Sequence, residues 1–220
     1  MNDHRSLLSD IKHAYNGAGT PSAHLPACTQ VSGQPGISHK VSMDNRPTDR
    51  YNPRMVEIRT ERLLLREACE NDLHGFHAIL SDTQAMAFWY RPPHESLVIT
   101  QEWLAGMIGI DPAIGEDFAV EFEGKLIGKA GLRKFPTIGF IFHPAAWGRG
   151  LAAESLRPII DRAFSKHSLP LIEADVDPRN WSSLRLLTRL GFVETGRAKS
   201  TSLVGDEWCD SVYLRLRAAR

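Results

Sequence analysis

The spacing of apolar residues constrains this chain most, because it changes period several times. Leu73, Phe76, Ile79 and Leu80 recur at three and four residues, whereas Phe118, Val120 and Phe122 alternate with Ala119, Glu121 and Glu123. A chain that mixes these periods folds as helices packed on a sheet. The spacing predicts a strand over residues 62–67 and a helix over 71–80 with Asn71 as N-cap, then a second helix over 96–110. A hairpin turning at Gly124 returns over 126–132, and a strand follows over 137–143. The next helix starts near Gly150, with Ala152, Leu156, Ile159, Ile160 and Ala163 on its buried face. Pro158 lies inside it, and its ring forbids the bond back to residue 154, which predicts a kink. Residues 171–176 read as a buried strand. In the last helix, Asp177 and Pro178 suit the N-cap and first turn, Gly191 suits the left-handed position past the end, and Phe192 reaches back to Leu187. Strands over 192–200 and 207–217 close the sheet.

The pattern begins only at Val56. Residues 1–54 hold four glycines, five prolines and one short helix-like pattern, Leu7, Leu8, Ile11 and Tyr15. This reads as a loosely held extension, or as an arm that packs on the domain or on a neighbouring subunit. The domain proper then covers 55–220, and Met55 is a conceivable alternative start. A length of 220 residues suits one domain with an appendage.

Lys and Arg number 26 against 26 Asp and Glu, so no global positive field draws the chain to nucleic acid or an anionic membrane. No run nears the ~20 apolar residues that span a bilayer, and the N-terminus lacks the apolar stretch of a secretory signal. Cys28, Cys69 and Cys209 are odd in number, widely spaced and without a CxxC pair, which fits a reducing cytoplasm. The pattern is that of a cytoplasmic globular protein, and both monomer and homodimer remain open.

The string His143-Pro-Ala-Ala-Trp-Gly-Arg-Gly-Leu-Ala152 joins a strand to a helix through glycines. Bare amides there can approach an anion closely, and the first amides of a helix lack internal partners and carry partial positive charge. The turn has neither the GxGxxG spacing of a dinucleotide fold nor the lysine of an NTPase loop. It serves as a pyrophosphate cradle or simply as a tight turn.

Residues 139–155, reading Gly-Phe-Ile-Phe-His-Pro and then Trp147-Gly-Arg-Gly-Leu-Ala-Ala-Glu-Ser, resemble the acetyl-CoA-binding motif of the GNAT N-acetyltransferases, Q/R-x-x-G-x-G/A, with Gly150 and Ala152 on its glycine and alanine positions. Trp147 stands at the first position in place of Gln or Arg, as in the RimJ/RimL branch that acetylates ribosomal-protein N-termini. Ile58-Arg-Thr-Glu-Arg-Leu-Leu-Leu-Arg-Glu67 resembles that branch's opening strand. Asn180-Trp-Ser-Ser, ending in Leu190-Gly-Phe192, resembles its N-x-x-S helix, and Trp208-Cys-Asp210 its closing strand. The resemblance covers roughly residues 56–217.

It implies an α/β (α+β) GNAT fold: a mixed, mostly antiparallel sheet of about six to seven strands with about four helices, splayed between its two central strands. It implies direct attack of a primary amine, a protein N-terminal α-amine or a small-molecule amine, on acetyl-CoA in a ternary complex, without a metal. Phe140, Ile141 and Phe142 would lie along the pantetheine arm, their amides aiding the oxyanion. Trp147, Gly148, Arg149, Gly150, Leu151 and Ala152 would hold the pyrophosphate, with a charge-assisted contact from the Arg149 side chain. Asn180 would contact the cofactor, and Ser183 would act as general acid to the leaving thiolate; capping of the helix is the structural alternative for both.

No general base transfers from the family, because Ile138 and Ser202 stand where glutamates are common. An α-amine, with a pKa near 7.7–8.0, is roughly a tenth neutral at pH 7 and needs less help than a lysine. A water relayed by Glu121, Asp175 or His143 would serve. Trp89, Tyr90 and Trp103 are candidates for the acceptor pocket. The acidic run Asp111, Glu116, Asp117, Glu121 and Glu123 would attract cationic amines if it bordered that pocket. His74 and His77 lie three apart but lack a third metal ligand. Because the usual glutamates are missing, a catalytically silent acetyl-CoA-binding module is the second reading, and an unrelated phosphate-binding domain the third.

Overall fold

The structure, a computed structural model, describes residues 56–218; the N-terminal extension expected over 1–54 lies outside them. Among the described residues the two periods resolve into eight strands and four α-helices. The strands are β1 (Glu57–Arg59), β2 (Leu63–Arg66), β3 (Glu116–Phe122), β4 (Lys125–Lys134), β5 (Thr137–Phe142), β6 (Leu171–Val176), β7 (Val193–Val204) and β8 (Glu207–Arg217). The helices are α1 (Leu73–Leu80), α2 (Leu97–Ile108), α3 (Leu151–Ser165) and α4 (Trp181–Arg189). One sheet holds all eight strands in the order β1-β2-β3-β4-β5-β6-β8-β7. The short β1 takes the strand count above the six or seven expected, and β7 runs four residues beyond its expected end, to Val204.

Every neighbouring pair is antiparallel except β5 and β6, which are parallel and register at a single pair, Thr137 with Glu173. Beyond that pair the two strands part toward their carboxyl ends. The expected splay is therefore present, and it lies between the two strands that feed α3 and α4. Crevices outside the carboxyl ends of adjacent parallel strands are where ligands commonly sit in α/β sheets.

Two cores hold the sheet. The larger joins β2, β3, β4, β6 and β8 to α3 through residues such as Leu65, Phe118, Leu156, Ile159, Ile172 and Val212. Burying Leu156 and Ile159, at 0% and 2% exposure, is worth roughly 1.5–3 kcal/mol apiece. The smaller core, on the other face, gathers Phe76, Leu80, Met86, Trp103, Leu104, Met107 and Ile141. Alternation fails in β3, where Phe118, Ala119 and Val120 are all buried, because both faces of that strand are covered.

Helix boundaries differ from expectation where local side chains compete for the cap. A 3-10 turn, Glu70–Asp72, precedes α1, and Asp72 rather than Asn71 holds the start: its Oδ2 accepts from the Cys69 amide at 2.8 Å. The cap of α4 is Asn180, whose Oδ1 accepts from the Ser183 amide at 3.1 Å, while Asp177 receives the Arg179 amide at 2.8 Å one turn earlier. The end of α4 is as expected: Gly191 adopts φ 93°, and the Phe192 amide donates to the Leu187 carbonyl at 3.0 Å. Pro158 sits inside α3, which continues through it from Leu151 to Ser165.

Candidate functional site

The strand-to-helix turn after β5 is built from two left-handed glycines, Gly148 at φ 70° and Gly150 at φ 77°. For an L-residue with a side chain that conformation costs about 1–2 kcal/mol. Gly150 caps α3, and Gly148, Arg149 and Gly150 are exposed, so the amides entering α3 face solvent. Trp147 keeps its ring half-exposed but donates its indole N–H to the Phe142 carbonyl at 2.9 Å, tying the turn to the end of β5. The Arg149 guanidinium stacks 4.5 Å above the Phe122 ring, which fixes its direction beside the turn. Leu151 is buried as the first anchor of α3, and Ala152 is half-buried.

A cavity of about 210 Å³ occupies the wedge between β5 and β6. Phe140 lines it from β5 and Asp175 from β6; Asn180 and Ser183 line it from the start of α4. Trp89 and Tyr90, with Phe88, form its aromatic wall. Burial pushes the Tyr90 phenol up, so that it stays protonated. Ile141 and Phe142, both 5% exposed, turn their side chains into the two cores, leaving their backbone as what β5 can offer a ligand.

One rim of the cavity comes from the β7–β8 hairpin. Glu207, Cys209 and Asp210 line the cavity with Asp175 and Asp177, and Arg179 is the one basic residue of the lining. Four carboxylates against one guanidinium leave the wall with three formal negative charges, 4 − 1. Arg179 donates to Asp177 at 2.7 Å and to Glu207 at 2.5 Å, joining the entry of α4 to the hairpin. Burial pushes the Cys209 thiol up, with the Asp177 and Glu207 charges in the same direction.

The acidic run named from sequence lies elsewhere. Glu116 accepts from Arg162, Lys166 and His167; Asp117 pairs with buried Lys129 at 2.8 Å; Glu121 shares Arg66 with Asp72. None of the run lines the cavity. Glu116, Asp117 and Glu121 hold elements together, and the acidic wall is made instead by β6, the loop before α4 and the hairpin. A turn of bare amides, an open β5 edge and an acidic, aromatic-walled cavity thus adjoin one another in the wedge.

The acetyltransferase (GNAT) domain family matches residues 62–193, more than half of the chain. The chain belongs to the GNAT acetyltransferase family. Its members are acetyl-CoA-dependent acyltransferases. "Uncharacterized N-acetyltransferase YnaD" of Bacillus subtilis (strain 168) is 29% identical over 166 residues, covering 72% of this chain and 95% of the relative. The spermidine N-acetyltransferase of Vibrio cholerae, solved with CoA and spermine, superposes with a TM-score of 0.62 at 25% identity, covering 72% of this chain and 96% of that one. RimL, the ribosomal L7/L12 α-N-protein acetyltransferase, reaches a TM-score of 0.68 at 16% identity, covering 74% and 95%, a likeness of fold.

Within this GNAT domain the remaining candidates separate clearly. Of the three carboxylate or imidazole groups considered for proton relay, Asp175 lines the cavity, whereas Glu121 is engaged by Arg66 and His143 uses Nδ1 to accept the Ala145 amide at 3.2 Å. Trp103 packs edge-on to Phe76 at 5.1 Å in the smaller core and is not part of the lining. His77 bonds the Thr100 hydroxyl through Nδ1 at 2.8 Å. Among the described residues no three His, Cys, Asp or Glu side chains cluster as a metal site, and no helix is long and apolar enough to cross a membrane. Sequence reasoning missed Phe88, Arg179, Glu207 and Asp210 as lining residues. The Trp208-Cys-Asp210 string was the available signal, but its place beside α4 depends on pairings such as Leu203 with Trp208, which periodicity does not specify.

Proposed function

We propose that this chain transfers the acetyl group of acetyl-CoA to a primary amine, a protein N-terminal α-amine or a small-molecule amine, by direct attack within a ternary complex. The observation that carries the reading is the wedge between β5 and β6, with a glycine-built helix start at one strand's end and an acidic, aromatic cavity along it. Acetyl-CoA supplies the activated thioester. Gly148 to Ala152 offer amides to its pyrophosphate, and the open edge of β5 around Phe140 pairs with the pantetheine arm.

The acidic wall draws the protonated amine and the aromatic wall stacks on its carbon chain. Asp175, through a water, takes one proton from the ammonium so that a neutral amine attacks, and the nitrogen gives up its second proton to solvent as it bonds to the acyl carbon. The carbon–sulfur bond breaks, and the Ser183 hydroxyl donates to the departing thiolate and is re-protonated from solvent. Asn180 holds the first turn of α4 and thereby the direction of Ser183. The catalytic unit is residues 55–220, with 1–54 as an appended segment, acting in the cytoplasm.

The test is release of free thiol by the purified protein from acetyl-CoA in the presence of an amine panel that includes peptides with free N-termini and polyamines. Thiol release that requires an amine supports the reading. CoA binding by calorimetry without release for any amine overturns it in favour of a silent module, the alternative that the missing glutamates at Ile138 and Ser202 favour.

A further inference from the structure

Glu154 lies in the first turn of α3, where a carboxylate competes with any anion for the same partial positive charge. The structure draws it aside. Thr60 Oγ1 donates to Glu154 Oε1 at 2.5 Å, the Arg62 amide donates to the same oxygen at 2.8 Å, and Arg62 Nε donates to Oε2 at 2.7 Å. Arg62 Nη2 stands 2.6 Å from Oε2. The fourth nitrogen in this set reaches the turn itself: Arg62 Nη1 donates to the Arg149 carbonyl at 3.2 Å. A Cβ built on Gly150 would lie 3.7 Å from Arg62 Nη2, so the guanidinium is against the turn.

We infer that Thr60, Arg62 and Glu154 form a clamp that positions the pyrophosphate turn, with Arg62 as a positioning residue. Each of its guanidinium nitrogens already meets Glu154 or the Arg149 carbonyl, so it acts through the turn. Two consequences follow. Holding the Arg149 carbonyl back leaves the amides of Gly148 to Ala152 as the polar groups presented to an incoming anion. Neutralising Glu154 removes the like charge that would oppose that anion at the helix start. The link spans from the β1–β2 connection to α3, more than ninety positions apart in sequence for Thr60 and Glu154, so the cofactor turn is set by a segment outside the glycine-rich motif.

This inference rests on the reading that the turn takes the pyrophosphate of CoA. The test measures binding of CoA and of pantetheine, which lacks the pyrophosphate, by calorimetry on wild type, Arg62→Ala and Arg62→Ala/Glu154→Ala. R62A is expected to weaken CoA about five- to tenfold and pantetheine by less than about twofold. The double variant is expected to bind CoA more tightly than R62A, because the unneutralised charge is gone. R62A with unchanged CoA affinity, with equal losses for both ligands, or with no recovery on removing Glu154 overturns the clamp. If R62A does not fold, Thr60→Val carries the same comparison against Thr60→Val/Glu154→Ala. A wild-type protein that fails to bind CoA would sink the reading of the turn instead.

Discussion

Glu116, at the start of β3, gathers three cationic or titratable partners from the far end of α3, and neutralising it gives a test of how that helix is held. Arg162 Nε lies 2.5 Å and Nη2 2.8 Å from its two oxygens, with Lys166 Nζ at 3.1 Å and His167 Nε2 at 3.1 Å. Burial alone would push the carboxyl up; the hydrogen bonds from Arg162, His167 and Lys166 outweigh it and hold the pKa down to about 2, from 4.5. A drop of that size corresponds to about 3 kcal/mol favouring the ionised form in the folded state. Lys166 is 47% exposed, so solvent screens part of this and about 2 kcal/mol is a fair expectation. The folded pKa is depressed, so this stability is present above pH 4.5 and is lost as pH falls toward 2. Glu116→Gln should therefore lose about 2 kcal/mol in urea unfolding at pH 7. Its deficit against wild type should shrink steadily between pH 4.5 and 2.5. A deficit below about 0.5 kcal/mol at pH 7, or one that does not change with pH, would refute the reasoning.

Three further outcomes follow from the site and its supports. Ser183→Ala should lower kcat about 10- to 100-fold while CoA binding by calorimetry stays within about twofold; an unaltered kcat would remove Ser183 as the proton donor. Asp175→Asn should lower kcat/KM for the amine by about tenfold or more, and steady-state kinetics with unchanged amine efficiency would return the relay to bulk solvent. Lys129→Met leaves Asp117 buried, where burial pushes its carboxyl up and the lost ammonium was the foremost group opposing it, ahead of the Arg133 charge and the Phe118 amide. That variant should lose about 3–5 kcal/mol in denaturant unfolding, and Asp117→Asn/Lys129→Met distinctly less; equal losses would show that pairing is not what Lys129 contributes.

The elements most legible in the sequence were those specified by their own residues. The strand expected over 171–176 matches β6 as Leu171–Val176, and Gly191 ends α4 in the left-handed conformation that a residue without Cβ adopts freely. The glycine turn was legible for the same reason, since Gly148 and Gly150 both take positive φ. The cap of α4 was misplaced because Asp177 and Asn180 are both able caps, and only the folded backbone shows that Arg179 claims Asp177. The acidic run misled because charge along a strand does not reveal its partners. Arg66 and Glu121 are 55 positions apart, as are no two groups that a local window compares, and Glu116 and Arg162 are 46 apart. The acidic wall was illegible in turn, since it joins Asp175 and Asp177 to Glu207 and Asp210 only when β8 inserts beside β6.

The two cores divide the labour of the site. The turn and β5 are backed by the larger core through Leu151, Leu156 and Phe142, in strands and a helix whose spacing the glycine motif fixes. The aromatic wall is carried differently: the segment of Phe88 to Tyr90 follows Met86, which is 2% exposed in the smaller core with Trp103 and Phe76, and Trp89 packs against that same cluster. Lys129 joins the two, buried with Asp117 and lying 5.6 Å from the Trp89 ring centroid. A chain built this way can change the volume and polarity of its cavity wall by altering the smaller core and the β7–β8 hairpin, while the glycine turn and the β5 backbone stay where α3 and the larger core hold them. The absence of a family glutamate at Ile138 belongs to the same division. That residue lines the cavity but is only 5% exposed and packs in the larger core, so a carboxylate there would have to be paired or carry a desolvation cost.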